Sequence, residues 1–141
     1  MIDGAGDDQA AGLTVHDVVG FSAALRGLGA HLGAAAVQKV DPGDSGADGC
    51  ADLIDQIRCL EELKSAASAA QARATTRFAA AQRTAQRTAG VRARDAGQGI
   101  ATQVALARRD SPVKGSRHLG LAEALCREMP HTLAALEAGD Q

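Results

Sequence analysis

The residues from Cys50 to Ala89 include neither glycine nor proline, and this uninterrupted stretch constrains the fold more than any other feature of the sequence. Because those two residues are the usual helix breakers, the stretch predicts one helix over about residues 50–89, with Asp48 as a candidate N-cap and Gly90 as the stop. A helix of about forty residues is roughly 60 Å long at 1.5 Å per residue. The remainder of a 141-residue chain is too short to cover it alone.

The apolar side chains of the protein are mostly small. Of its 141 residues 45 % are apolar, but 32 are alanine, two are phenylalanine, and tryptophan and tyrosine are absent. Sandwiches and barrels need β-branched and aromatic side chains, so this composition excludes an all-β fold and favours an all-α one. No apolar run approaches the roughly 20 residues that cross a bilayer, and the start of the chain is acidic where a secretory signal is basic. We therefore expect a cytoplasmic protein without a membrane segment.

Three short helices are predicted after the long one, at positions where proline, serine and glycine typically begin or end a helix. They run from Ile100 to Arg109, from Pro112 to about Glu128, and from Pro130 to a stop at Gly139, with Ser111 as the N-cap of the second. Residues 51–140 are thus expected to form a helical hairpin or bundle.

Residues 1–50 differ in composition from this helical region. They consist of a Gly/Asp-rich start, an apolar stretch from Leu13 to Val40 interrupted by glycines, and a turn-rich DPGDSGADG segment. Each glycine inside a helix costs roughly 1 kcal/mol relative to alanine. We therefore expect a poorly ordered arm with at most short, weak helices.

Apolar residues of the long helix follow a heptad spacing that predicts its packed face. This seam consists of Leu53, Ile57, Leu60, Ala67, Ala74, Phe78, Ala81 and Ala85. Such a seam indicates either an antiparallel partner helix in the same chain or a second copy of the protein, which would make a homo-oligomer.

The formal net charge of −2 conceals a strong segregation of charge. Residues 73–118 hold ten basic and two acidic side chains, whereas the segments on both sides are acidic overall. A local basic band of this kind determines whether a protein binds polyanions, whatever its overall charge. DNA is therefore a candidate partner.

Four arginines of the basic band form a ridge on the long helix, within about 120° of one another and opposite the alanine stripe. The ridge consists of Arg73, Arg77, Arg83 and Arg87. No Asp or Glu occurs between Glu62 and Asp95, so these arginines have no acidic partner on their own helix. Two interpretations remain open, a strip that contacts phosphates and an ordinary solvated helix face.

The two helices joined at residues 109–111 have the proportions of a helix-turn-helix, whose second helix meets the major groove. Lys114, Ser116 and Arg117 would then be presented to DNA, although packing in an ordinary helical bundle is the alternative. His118 falls among apolar residues of the same helix, and we expect it to be a core residue rather than a ligand or base.

Catalysis has little support in the sequence. The four histidines are dispersed, no HExxH or Cys/His cluster occurs, no glycine-rich phosphate loop is present, and the chain contains no asparagine. We expect no active site, no metal or other cofactor and no small-molecule substrate.

Three blocks of the chain resemble a known family. The runs ADLIDQIRCLEELKSAASAAQARATTRF, GIATQVALARRDSP and GSRHLGLAEALCREMPHTLAALEAG are similar to the actinobacterial family of domain of unknown function 222, which includes the mycobacterial 13E12 repeat proteins. The resemblance covers about residues 51–140. It implies the helical region that precedes an HNH endonuclease domain in that family, truncated here before the nuclease, so no catalytic residue carries over.

Together these observations predict a non-catalytic helical module of a nuclease-associated family, which binds or targets nucleic acid through the basic band. The alternative is a helical self-association module, or a vestigial truncated protein without independent activity.

Overall fold

The computed structural model describes residues 15–35 and 46–139, and this part of the chain is helical without any strand. Its elements are α1 (Val15–Ala35), α2 (Gly46–Thr88), α3 (Ile100–Arg108), α4 (Pro112–Arg127) and α5 (Pro130–Ala138). The prediction of an all-α fold, with one long helix followed by three short ones, is confirmed. None of the described helices combines the length and the apolar character that crossing a membrane requires.

The chain divides into two compact units, Met1–Gly46 and Ala47–Gln141. The described part of the first unit is α1, a continuous helix of 21 residues. The expectation of at most short helices before residue 50 is therefore wrong for this segment, because the alanine and leucine residues between its glycines are strong helix formers. Residues 1–14 and 36–45, to which the rest of the poorly ordered arm was assigned, lie outside the described residues.

In the second unit, α2 is 43 residues long and ends where the sequence predicts. Gly90 adopts a positive φ of 88°, and its N–H donates to the carbonyl of Arg87 at 3.0 Å. This left-handed conformation is the usual glycine stop of a helix. The helix begins four residues before the expected start at residue 50. Because α2 begins at Gly46, Asp48 lies inside its first turn and is not the N-cap.

The three short helices have the predicted boundaries to within one residue. Ser111 caps α4, since its hydroxyl accepts a hydrogen bond from the Lys114 N–H at 3.4 Å, and Pro112 occupies the first helical position. Arg109 ends α3 in the left-handed conformation, with φ of 57°. Gly139 ends α5 in the same way, with φ of 82°.

The core of the second unit consists of two small clusters along the second half of α2. One joins α2 to α4 and α5 through Ala69, Ala72, Ala122, Leu125 and Leu133. The other joins α2 to α3 through Ala79, Ile100 and Val104, with Phe78 and Leu119 packed against it. Alanine thus supplies the α2 side of both clusters, which allows close approach of the shorter helices.

The predicted heptad seam is not the packed face of α2. Ala72 and Ala79 are buried, whereas Ala74 and Ala81, each two residues later and therefore roughly 200° around the helix, are exposed. Of the other seam residues, Leu60 and Phe78 are half-buried, and Leu53, Ile57, Ala67 and Ala85 are exposed. The spacing misleads because alanines occur on both sides of this helix, and the structure buries the side that also carries Ser65 and Thr75.

Candidate nucleic-acid interface

The three-residue turn between α3 and α4 brings basic side chains of both helices together. The N–H of Asp110 donates to the carbonyl of Ala105 at 2.9 Å, and the N–H of Gly115 donates to the carbonyl of Ser111 at 3.0 Å. These bonds fix the turn from both sides, so that the end of α3 and the start of α4 face one cleft. Its volume is about 340 Å³, and its lining residues are Arg108, Asp110, Lys114, Arg117, His118 and Leu121.

Asp110 is the only carboxylate among the residues that line this cleft. Its Oδ2 accepts a hydrogen bond from Arg108 Nε at 3.2 Å, and its Oδ1 lies 3.8 Å from Lys114 Nζ. The Arg108 guanidinium also donates through Nη1 to the side-chain oxygen of Gln71 on α2. Arg108 is therefore held from two sides, and the cleft retains an excess of positive charge over its one carboxylate.

Lys114 and Arg117 are the exposed cations of the first two turns of α4. The side chain of Lys114 is 70 % exposed. Within the described part of the chain, Arg117 has neither an ion pair nor a side-chain hydrogen bond. Ser116 is exposed beside them, and its hydroxyl donates to the Pro112 carbonyl at 3.1 Å. The structure thus presents to solvent the three residues that the helix-turn-helix interpretation assigned to DNA.

His118 lies at the inner end of the cleft, between α2 and α4. Its Nε2 is 3.1 Å from Oγ1 of Thr75, a residue that is only 7 % exposed. Burial lowers the pKa of His118, the nearby Arg108 charge lowers it further, and Asp110 acts in the opposite direction. The ring is half-buried and hydrogen-bonded, which agrees with the expectation of a core histidine.

Two arginines of the ridge are paired with carboxylates from other helices. Arg73 donates from Nη2 to Glu137 Oε2 of α5 at 3.0 Å, and Arg83 donates from Nη1 to Glu123 Oε1 of α4 at 2.6 Å. The hydrogen bond from Arg73 lowers the pKa of Glu137, and the same bond raises that of the arginine. The ridge borders the packed face of α2 instead of lying opposite to it, because the packed face is not the predicted seam.

The other two ridge arginines have no carboxylate partner within residues 15–35 and 46–139. Arg77 is exposed, and Arg87 donates only to the Arg83 carbonyl at 3.3 Å and to the Thr84 hydroxyl at 3.4 Å. Relative to Gln71, which contacts the end of α3, they lie about 120° and 160° around α2 at 100° per residue. They therefore do not share a helix face with the cleft, and the basic band of the sequence is not one continuous surface.

Sequence reasoning missed Arg108 and Asp110 as members of this site. The three residues lie close together in the sequence, since Asp110 follows Arg108 by two residues and precedes Lys114 by four. This spacing does not predict their contacts, because they cross the end of α3 and the turn, where helical periodicity does not apply. Only the turn conformation at Arg109 determines that both cations face the same carboxylate.

The site has no arrangement that resembles a metal centre. Over the described ranges, no group of three His, Cys, Asp or Glu side chains lies close enough together to hold a metal ion. Comparisons of the chain with family models, with curated proteins and with solved structures find no match.

Proposed function

We propose that the helical region from residue 47 onwards is a non-catalytic module that binds nucleic acid, with Lys114 and Arg117 of α4 as its main phosphate contacts. The observation that carries this proposal is the exposure of both cations beside Arg108 and Arg109 on a helix pair joined by a three-residue turn. Lysine and arginine bind phosphate oxygens through charge-assisted hydrogen bonds. The resemblance of residues 51–140 to a nuclease-associated family, which is part of the same proposal, supports DNA as the ligand.

The ridge of α2 is a weaker candidate for the same role. Arg73 and Arg83 already bind Glu137 and Glu123, so that a phosphate would have to compete with these carboxylates. Arg77 and Arg87 remain available, but two isolated guanidinium groups on an exposed helix face are common in proteins that bind no polyanion. We therefore place the interface at the α3–α4 turn and use Arg77 and Arg87, which have no carboxylate partner in the described residues, as a control.

The test is the salt dependence of binding to a fluorescent DNA duplex, measured by anisotropy at several salt concentrations. We expect Lys114→Gln combined with Arg117→Gln to weaken binding and to reduce the slope of log K against log salt by roughly 0.9 for each phosphate that the two side chains neutralise. The matched control combines Arg77→Gln with Arg87→Gln. It removes the same charge from exposed side chains of α2 and should leave the slope as in the parent.

Two results would contradict this proposal. If the parent protein binds no duplex even at low salt, duplex DNA is excluded as the ligand. If instead the slope of log K against log salt falls in the control variant and is unchanged in the α4 variant, the interface lies on the ridge of α2. Circular dichroism of each variant excludes loss of helix as the cause of either result.

A second candidate function is self-association through the first third of α2. Leu53, Ile54 and Ile57 are 50 %, 62 % and 57 % exposed, respectively. Three large apolar side chains within five residues form a patch of the kind that often contacts another protein surface. This candidate predicts assembly that depends little on salt, whereas binding through phosphates weakens steeply as salt rises.

A further inference from the structure

Asp110 lies in the α3–α4 cleft, where its carboxylate contacts two cations that could also bind a phosphate. Its two carboxylate oxygens are divided between two cations, Oδ2 toward Arg108 Nε at 3.2 Å and Oδ1 toward Lys114 Nζ at 3.8 Å. A phosphate group would present two non-bridging oxygens of the same charge to the same donors. The carboxylate therefore occupies a place that suits a phosphate.

The two contacts of Asp110 differ in strength. The Arg108 pair is partly buried, with side-chain exposures of 27 % for the arginine and 23 % for the aspartate. The Lys114 side chain is far more exposed, and its pair with Asp110 is longer. Lys114 is thus the cation that can leave the carboxylate most easily. Arg117, three residues further along α4, lies on the same helix face, because residues at i and i+3 are neighbours.

We propose that the cleft binds one backbone phosphate of nucleic acid between Lys114 and Arg117, and that Asp110 is an internal competitor which the phosphate displaces from Lys114. The nucleic-acid identity of the ligand rests on the proposed function, whereas the competition by Asp110 does not. In the free protein the carboxylate reduces the positive charge of the cleft, and this lowers the affinity for isolated anions. Aspartate at this position therefore sets the affinity of the site without itself contacting the ligand.

Inorganic phosphate, titrated at constant ionic strength and followed through the amide NMR signals of residues 108–118, tests the competition directly. We expect Asp110→Asn to keep the shape of the turn and to lower the Kd for phosphate by about two- to fivefold, the range given by loss of an exposed ion pair. Asp55→Asn is the matched control, because Asp55 pairs with Arg58 on α2 at 2.8 Å and changes the net charge equally. It should leave the Kd unchanged.

The same substitution in a Lys114→Gln background identifies the cation involved. We expect Asp110→Asn to have no effect there, since the group for which carboxylate and phosphate compete is gone. The inference is overturned if phosphate moves none of the α3–α4 signals in either protein. It is also overturned if Asp110→Asn, with its helix content intact, binds phosphate no more tightly than the parent.

A DNA titration of the same variants separates this inference from the proposed function. If Asp110→Asn strengthens both phosphate and duplex binding, both proposals stand. Stronger phosphate binding without duplex binding by any variant would overturn nucleic acid as the ligand and keep the internal competitor. Equal duplex binding by parent and Asp110→Asn, together with unchanged phosphate binding, would overturn the competitor and leave the nucleic-acid function standing.

Discussion

The imidazole of His118 combines a half-buried position with a hydrogen-bond partner on another helix, Thr75 of α2. Burial makes protonation of the ring unfavourable, and the adjacent Arg108 charge adds to this effect. The Asp110 carboxylate opposes it but does not reverse it, so the pKa remains below the ordinary value of 6.5. The neutral ring is therefore the form that the folded protein prefers.

This preference makes the free energy of unfolding depend on pH. Because the folded pKa is lower than the unfolded one, the unfolded chain binds the proton first as the pH falls below about 6.5. The stabilising effect of His118 is complete above that pH and is lost progressively toward the lower folded pKa. We expect His118→Gln, which can still hydrogen-bond Thr75, to lose less stability than the parent between pH 7.5 and pH 5 in urea denaturation.

His131→Gln serves as the control for this measurement, since His131 is exposed on α5. Its loss of stability between the two pH values should be close to that of the parent. Identical pH dependence for the parent and for His118→Gln would show that burial of this ring does not influence its protonation.

At the scale of the helices, the contact between α3 and α4 depends on the absence of a side chain at Gly115. A Cβ at this position would lie 2.5 Å from the Cβ of Ala105 and 2.6 Å from the carbonyl oxygen of Ala101. Neither atom belongs to a flexible side chain, so the two helices would have to move apart. The exposure of Lys114 and Arg117 on the other side of α4 depends on this same crossing.

We expect Gly115→Ala to lower the free energy of unfolding by about 1–3 kcal/mol, the usual cost of overpacking a close contact. Gly120→Ala, five residues later in the same helix, is the matched control because no atom outside the adjoining backbone of its own helix lies within 4 Å of its Cβ position. That change should be neutral or stabilise the protein by up to about 1 kcal/mol, because alanine is the better helix former. Thermal denaturation of both variants tests the contrast, and equal effects would contradict the close crossing.

The elements themselves were largely predictable from the sequence, because helix ends are determined by chemistry within one turn. Ser111 with Pro112, Gly90 and Gly139 act on the backbone next to them, and the observed boundaries follow. The face of α2 that packs was not predictable. A pattern of apolar residues cannot show whether Ala72 or Ala74 is buried, because both are alanines of the same helix. Only the positions of α4 and α5 determine which of the two is packed.

The pairing of the ridge arginines escaped prediction for a related reason. Glu123 and Glu137 lie 40 and 64 residues beyond Arg83 and Arg73, respectively, so no local spacing joins them. The absence of acidic residues between Glu62 and Asp95 correctly excluded partners on the same helix, but it said nothing about partners from other helices. Of the six predicted contacts to nucleic acid, the structure brings Lys114 and Arg117 together in one cleft and separates them from Arg77 and Arg87.

At the scale of the whole molecule, the charge distribution and the apolar surface indicate two different kinds of association. The cationic cleft lies at the turn between α3 and α4, beside the middle of α2. The exposed patch of Leu53, Ile54 and Ile57 lies in the first third of α2. Because these surfaces involve different residues and different forces, each can be removed by substitution without changing the other.

The self-association candidate therefore makes an independent prediction. We expect the parent protein to form dimers in sedimentation velocity experiments as its concentration rises, with little change between low and high salt, because burial of apolar side chains is not screened by ions. Ile54→Lys should shift the protein to monomer, since it places a charge at the centre of the patch. Leu106→Lys is the control, because Leu106 is 73 % exposed on α3 and the change in charge is the same. A parent that remains monomeric at all concentrations, or a dimer that withstands Ile54→Lys, would show that this patch is not a contact between copies of the chain.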